Sequence, residues 1–150
     1  MPIKLLYISI SGNTRSFVEK LTTFAQEKEE ISFEPIEISD ATPDVIIDSP
    51  FFVLVPTYLD GGNGIGNGII EIMTDALREQ LEIPENTQNL IGIIGSGNKN
   101  FNAQYILTAR RYAVTFNAPL IANYELRGNK QDVARVYKQI KHRFNEYNHQ

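Results

Sequence analysis

The chain has 150 residues, enough for one domain with a buried core and too few for two. Hydrophobic residues make up 42% and charged residues 21%, a globular composition that excludes disordered and collagen-like chains. The net charge of −4 disfavours nucleic-acid binding, which usually needs a basic stripe, and the lack of cysteine excludes disulfides and thiolate sites. No apolar run approaches the ~18 residues of a membrane span, and no secretory signal precedes the first strand. We therefore expect a cytoplasmic protein that binds neither membrane nor nucleic acid.

The first half of the chain predicts three strands and one long helix. An apolar run at 4–8 favours a buried strand, and apolar residues at helical spacing favour a helix over 14–29. Alternating apolar residues at 31–38 predict a second strand, placed at the sheet edge because its proline cannot donate to a central ladder. The polar stretch at 40–49 predicts a loop, and the run at 51–55, apolar on both faces, predicts a strand covered by helices.

The second half of the chain continues this alternation of apolar runs and amphipathic segments. The pattern predicts helices over 69–81, 105–113 and 133–144, strands at 90–94 and 119–124, and a capping pair formed by Asn129 and Asp132. Five strands alternating with about four helices predict a single α/β domain over residues 1–150, with a parallel sheet and helices on both faces. Ligands of such sheets bind beyond the carboxyl ends of the strands, where the strand order reverses.

The first loop at that edge, at 9–14, predicts a phosphate site. Ser9, Ser11 and Thr14 place three hydroxyls around Gly12 just before a helix, whose N-terminus offers unpaired N–H groups and partial positive charge. An ordinary N-cap needs only one such side chain, so we favour an anion site over a plain cap. The sequence lacks both the G-x-x-x-x-G-K-[ST] and the G-x-G-x-x-G motifs, which excludes the commoner nucleotide sites.

The loops at 56–68 and 95–101 suit a flat ligand. A tyrosine ring can lie against such a ligand, glycines allow close backbone approach, and amides can bond the polar edge of a heterocycle. Each loop alone also fits an ordinary turn, but the three together describe a pocket for a planar molecule with a phosphate tail, and FMN fits best. The candidate cofactor-binding residues are Ser9, Ser11, Gly12, Asn13, Thr14, Pro56, Thr57, Tyr58, Gly61, Ser96, Gly97, Asn98, Asn100 and Phe101.

These segments carry a resemblance to a known family. The segment Ser9-Ile10-Ser11-Gly12-Asn13-Thr14 resembles the phosphate loop of flavodoxins. The segments at 56–58, 95–101, 118–120 and 124–128 resemble NrdI, the flavodoxin-like accessory protein of class Ib ribonucleotide reductase. The similarity spans nearly the whole chain in the right order. It implies a flavodoxin-like sheet with strand order 2-1-3-4-5.

The resemblance implies a redox accessory flavoprotein rather than a classical enzyme, with no catalytic side chain. An electron donor, such as a flavin reductase, would reduce the FMN, which would react with O₂. The resulting superoxide- or peroxide-level oxidant would pass to the small subunit of the reductase and help assemble its dimanganese–tyrosyl radical cofactor. The loop at 95–101 contains Lys99 and no acid, and the second loop contains a single acid, Asp60. An anionic reduced flavin is therefore expected to be less strongly disfavoured here than in a highly acidic flavodoxin. His142 and His149 lie far from the loops without metal-ligand spacing, so no metal site is predicted.

Two other functions stay open from the sequence. A general flavodoxin-type one-electron carrier for another enzyme would accumulate the flavin semiquinone, whereas a protein that reacts with O₂ need not. A non-redox binding module that has kept the fold and lost the flavin would purify without colour.

Overall fold

The computed structural model of the protein describes residues 2–57, 59–60, 70–71, 75–98 and 106–149. The strands in these ranges are β1 (Ile3–Tyr7), β2 (Phe33–Glu37), β3 (Phe51–Pro56), β4 (Leu59–Asp60), β5 (Ile70–Glu71), β6 (Leu90–Gly97) and β7 (Leu120–Glu125). The helices are α1 (Asn13–Lys28), α2 (Asp75–Leu81), α3 (Pro84–Asn89), α4 (Leu107–Phe116) and α5 (Lys130–Asn148).

Five of these strands form one parallel sheet in the order β2-β1-β3-β6-β7. Counted along the sheet's own strands this is 2-1-3-4-5, so the predicted fold is confirmed. The chain moves outward from β1 to β2, then crosses back to β3 on the other side of β1. The strand order therefore reverses between β1 and β3, and this reversal fixes where a ligand site is expected.

Helices cover both faces of the sheet, as predicted. On one face, α1 and α5 pack residues such as Phe17 and Val136 against Phe52 and Leu54 of β3. On the other face, apolar residues of α2 and α4 pack against the alternate residues of the same strand. All six residues of β3 are buried, which explains why the sequence at 51–55 is apolar at every position.

The predicted helix over 69–81 is wrong in its first part. Ile70 and Glu71 form β5, which pairs antiparallel with β4, and α2 begins only at Asp75. Two adjacent isoleucines fit a short strand as well as a helix, because β-branched residues favour strands and a short apolar run has no clear period. Ile69 and Met73 lie outside the described residues, as does Tyr105 at the predicted start of the third helix.

The short polar helix α3 was not predicted, because its sequence PENTQN has no apolar residues at helical spacing. Its one signal was Pro84, a residue favoured in the first turn of a helix. The edge position of β2 and the capping pair are confirmed: Asn129 and Asp132 form a reciprocal capping box with both bonds at 2.9 Å. No helix in the described part of the chain is both long enough and apolar enough to cross a bilayer.

The segment between β2 and β3 is a loop, as predicted, and it is held by buried amides. The Asn86 side chain accepts the N–H of Ile47 at 2.7 Å and donates to the carbonyls of Val45 at 2.7 Å and Gln80 at 2.8 Å. The Gln80 side chain in turn accepts the N–H of Val45 at 2.8 Å and donates to the carbonyl of Pro43 at 3.1 Å. These two side chains, which we call the amide clamp, replace the hydrogen bonds that a strand or helix would have given this segment.

Candidate functional site

The candidate site lies where β1, β3 and β6 end. These strands are neighbours in the sheet and run parallel, with Tyr7 beside Leu54 and Pro56 beside Ser96. Their carboxyl ends therefore meet at one edge of the sheet, where the three predicted loops leave it. The predicted end of the fourth sheet strand at 94 is wrong: β6 continues through Gly97, because its backbone pairs with β3 and β7 there, so the third loop begins only after Gly97. The reversal of strand order falls between β1 and β3, at the first of these loops.

Within the first loop, Gly12 is the N-cap residue that precedes helix α1. Gly12 has a φ of 89°, in the left-handed region that favours glycine, and as the N-cap residue it has no side chain to bond the first turn. The hydroxyl of Ser9 accepts the N–H of Arg15 at 3.1 Å. The N–H groups of Asn13 and Thr14 lie in the first turn, where no earlier helical carbonyl is available to them. This helix terminus therefore keeps donors and partial positive charge for an anion.

The side chain of Thr14 provides the strongest evidence for a ligand. Thr14 is only 1% exposed, and its Oγ1 has no hydrogen-bond partner in the part of the chain that the structure describes. Leaving a buried hydroxyl without a partner costs about 1–3 kcal/mol, so such atoms are rare without a reason. At the N-terminus of α1, a phosphate oxygen is the partner that both the hydroxyl and the helix would suit. The residues present fit a phosphate group.

No cationic side chain competes for this role in the described part of the loop. Arg15 is the nearest positive residue in the sequence, and its guanidinium donates Nε and Nη2 to the two carboxylate oxygens of Glu37, each at 2.7 Å. The described loop therefore offers an anion neutral donors and the helix dipole rather than a free guanidinium.

The second and third loops begin with residues that already hold structural hydrogen bonds. Thr57 donates its N–H to the carbonyl of Ser96 at 2.9 Å, and its hydroxyl accepts the N–H of Thr108 at 3.2 Å in the first turn of α4. The carbonyl of Gly97 accepts the N–H of Leu126 at 3.0 Å. Thr57 is thus a helix cap supplied by another element, a role that sequence spacing did not reveal. Its bonds to β6 and α4 fix the starting points of both loops.

Most of the predicted site residues meet at this edge. The described ones are Ser9, Ser11, Gly12, Asn13, Thr14, Pro56, Thr57, Ser96, Gly97 and Asn98. Tyr58, Gly61, Asn100 and Phe101 lie outside the described residues. The contribution of each residue to cofactor binding stays a prediction.

Sequence reasoning missed a polar cluster beside the first loop, formed by Tyr7, Arg15 and Glu37. Tyr7 donates its hydroxyl to Glu37 at 3.0 Å, and burial together with this bond raises the pKa of Tyr7 to about 12. The hydrogen bond from Arg15 lowers the pKa of the Glu37 carboxyl and raises the pKa of the guanidinium. Tyr7 and Glu37 are register partners in the parallel pair β1–β2. Thirty residues separate them in the chain, so no local motif could have indicated the contact.

Gly12 gives a direct test of the loop's backbone. A Cβ at this position would meet no atom within 4 Å, so Gly12→Ala is expected to cost only the left-handed strain, about 1 kcal/mol. The methyl group would project into the open space beside the helix N-terminus, and we expect weaker FMN binding with little change in riboflavin binding. Flavin titration and urea unfolding of the variant check the two effects. An unchanged FMN affinity would contradict the predicted phosphate site at this loop.

The fold and the site together define a flavodoxin-like protein. A five-stranded parallel sheet of order 2-1-3-4-5, with the N-terminus of a helix at the reversal between β1 and β3, is the arrangement in which flavodoxin-like proteins bind a flavin phosphate. Among solved structures, oxidised Flavodoxin 2 from Bacillus cereus matches with a TM-score of 0.62 and 18% identity, covering 98% of this chain and 99% of that one. A short-chain flavodoxin associated with a bacterial microcompartment matches with a TM-score of 0.60 and 17% identity, covering 94% and 95%. At these identities the likeness shows the fold.

Comparison with known sequences identifies the family. The family model described as NrdI Flavodoxin like matches residues 5–138. An NrdI-like protein of Streptococcus pyogenes serotype M1 is 43% identical over 139 residues, which cover 92% of this chain and 87% of that protein. The protein NrdI of Bartonella tribocorum is 31% identical over 140 residues, covering 92% of both chains. The chain belongs to the NrdI family of flavodoxin-like proteins. The resemblance stated from the sequence is confirmed, and it makes the chain a flavodoxin-type protein associated with ribonucleotide reductase.

Proposed function

We propose that this chain binds FMN and activates a class Ib ribonucleotide reductase. Family membership supports the association with the reductase. The observation that carries the cofactor is the buried hydroxyl of Thr14, which lacks a partner among the described residues and lies at the N-terminus of α1. An FMN phosphate would supply that partner at the edge of the sheet where the strand order reverses.

The first loop would hold the phosphate. Thr14 would donate its hydroxyl, Asn13 and Thr14 would donate their N–H groups, and the hydroxyls of Ser9 and Ser11 would line the anion site. Gly12 would keep the backbone close to the anion, since only glycine takes its φ of 89° without strain. The riboflavin part would lie over the carboxyl ends of β3 and β6.

The second and third loops would hold the ring. Tyr58 would lie against its face, and Gly61 would let the second loop approach closely. Asn98, Asn100 and Phe101 would bond and cover its polar edge, since the carbonyls of Ser96 and Gly97 already bond to Thr57 and Leu126. Pro56 and Thr57 fix where the second loop starts, because Thr57 bonds to both β6 and α4. No side chain is required as a general acid or base, since the chemistry belongs to the cofactor.

When bound and reduced by two electrons, FMN would supply the electrons that convert O₂ to superoxide (one electron) or to hydrogen peroxide (two electrons and two protons). The protein would anchor the phosphate of the cofactor and leave its ring accessible. The loop at 95–101 contains one base and no acid, so it would oppose an anionic reduced ring less than a loop with carboxylates would. The small subunit of the reductase is the proposed acceptor of the oxidant. A flavin reductase or similar donor supplies the electrons, and the cytoplasm is the proposed compartment.

Radical assembly tests this function. The FMN-loaded chain is reduced without oxygen, mixed with manganese(II)-loaded small subunit, and exposed to O₂, and tyrosyl radical is counted by electron paramagnetic resonance. We expect radical in proportion to the chain added, and much less with an equal amount of free reduced FMN or of added hydrogen peroxide. Radical yields no higher with the chain than with free reduced FMN would contradict the activating role. Thr14→Val at subsaturating FMN should lower the yield in step with its occupancy.

A further inference from the structure

The carboxylate of Glu37 joins the two ends of the first loop. Tyr7, the last residue of β1 before the loop, donates its hydroxyl to one carboxylate oxygen at 3.0 Å. Arg15, in the first turn of α1 after the loop, donates Nε to the same oxygen and Nη2 to the other, both at 2.7 Å. One side chain from β2 therefore spans the entrance and the exit of the loop that we assign to the phosphate.

A further contact closes this set into a ring. The hydroxyl of Ser9, inside the loop, accepts the main-chain N–H of Arg15 at 3.1 Å. The ring runs from Tyr7 along the chain to Ser9, across to Arg15, on to Glu37, and back to the Tyr7 hydroxyl. A single exposed ion pair contributes little, but a two-armed guanidinium–carboxylate pair that also binds a buried tyrosine is fixed in geometry.

We propose that Glu37 is a positioning residue for the FMN phosphate, holding the loop at 9–14 in its phosphate-binding shape before the ligand arrives. This inference rests on the proposed FMN site. A loop that is already ordered loses less conformational freedom on binding, so its affinity is higher for the same contacts. The same bonds hold the Arg15 guanidinium on Glu37, which leaves the phosphate to neutral donors and the helix N-terminus.

Glu37→Gln tests the proposal, because glutamine keeps the shape of the side chain and removes its charge. FMN and riboflavin are titrated separately by the quenching of their fluorescence. We expect FMN to bind about tenfold more weakly to the variant, while riboflavin binding changes by less than about twofold. Riboflavin lacks the phosphate, so the ratio of the two dissociation constants reports on the loop and not on general stability. Arg15→Lys, which keeps the charge but loses the two-armed bond, should act in the same direction.

Glu30→Gln is a matched control in the same protein. Glu30 accepts the Tyr137 hydroxyl at 3.0 Å and Lys141 Nζ at 2.6 Å, so it also joins a tyrosine to a cation. It precedes β2 whereas Glu37 ends it, so it lies at the other end of the strand from the loop. We expect this variant to keep the wild-type ratio of FMN and riboflavin dissociation constants. Thermal unfolding of each variant shows that it is folded at the temperature of the titration.

The remaining outcomes separate the two proposals. A Glu37→Gln variant that keeps the wild-type preference for FMN over riboflavin would overturn the positioning role. Tighter FMN binding by this variant would also overturn it, because it would mean that the freed guanidinium binds the phosphate itself. An equal loss of preference for FMN over riboflavin in Glu30→Gln would also overturn it. If the wild-type chain binds FMN no better than riboflavin, the phosphate site of the proposed function fails first.

Discussion

Replacing Thr14 by valine is expected to weaken FMN binding by about 10- to 100-fold and to leave riboflavin binding unchanged. Valine keeps the shape of threonine but cannot donate to a phosphate oxygen, and a hydrogen bond to a charged group contributes about 1.5–3 kcal/mol. The same change should make the protein without flavin more stable by about 1 kcal/mol, because the Thr14 hydroxyl is buried with no partner among the described residues. Opposite effects on binding and stability are the signature of a residue kept for its ligand.

Thr22→Val is the matched control for that experiment. Thr22 lies on the same helix, and its hydroxyl donates to the carbonyl of Val18 at 2.8 Å, so it already has a partner. We expect this variant to bind FMN as the wild type does, without a gain in stability. Flavin titrations and urea unfolding of both variants give the comparison. A Thr14→Val variant that keeps full FMN affinity would show that the phosphate does not contact Thr14.

Asn86→Ala is expected to reduce the free energy of unfolding by about 3–4 kcal/mol. Asn86 is fully buried, and its loss would leave the N–H of Ile47 and the carbonyls of Val45 and Gln80 without their partners in the amide clamp. Burial of unpaired backbone groups is among the few mechanisms that give so large an effect. Urea unfolding measures the change as a lower midpoint at an unchanged slope.

Asn89→Ala provides the comparison for this prediction. Asn89 also binds the segment between β2 and β3, but through a single bond to the carbonyl of Ile47 at 3.0 Å, with a second, exposed bond to Glu85. We expect a loss of about 1 kcal/mol from it. Equal losses from the two variants would mean that the amide clamp does not hold the segment. The preference of folded Asn86→Ala protein for FMN over riboflavin should stay at the wild-type value, because the clamp does not contact the phosphate loop.

The sheet and the position of the loop at 9–14 before α1 could be predicted from the sequence because their signals are local. The run at 51–55 is apolar at every position because β3 is buried on both faces, and the loop's hydroxyls and glycine stand together within six residues. The capping box at the start of α5 has fixed spacing, so it too was readable. Where one short segment contains the whole cause of a structure, its pattern predicts that structure.

The rest depends on contacts between distant segments. Tyr7 meets Glu37 only because β1 and β2 pair in a particular register, and Thr57 caps α4 across 51 residues of sequence. Asn86 lies in a polar segment with no apolar period, yet it is fully buried because it supplies bonds to a loop 39 residues earlier. The start of α2 was misplaced because Ile70 belongs to a short strand whose partner, β4, carries only two residues. Burial and strand register are properties of the folded chain, so a local sequence pattern does not predict them.

The central claim is that the N-terminus of α1 binds the phosphate of FMN at the edge where the strand order reverses. Its most direct test is a pair of titrations of the purified, flavin-free chain, one with FMN and one with riboflavin, followed by visible absorbance and flavin fluorescence. We predict a yellow complex and a preference for FMN of at least about 100-fold, since the phosphate would gain several charge-assisted bonds. Equal affinities for the two flavins, or no binding of either, would contradict the claim.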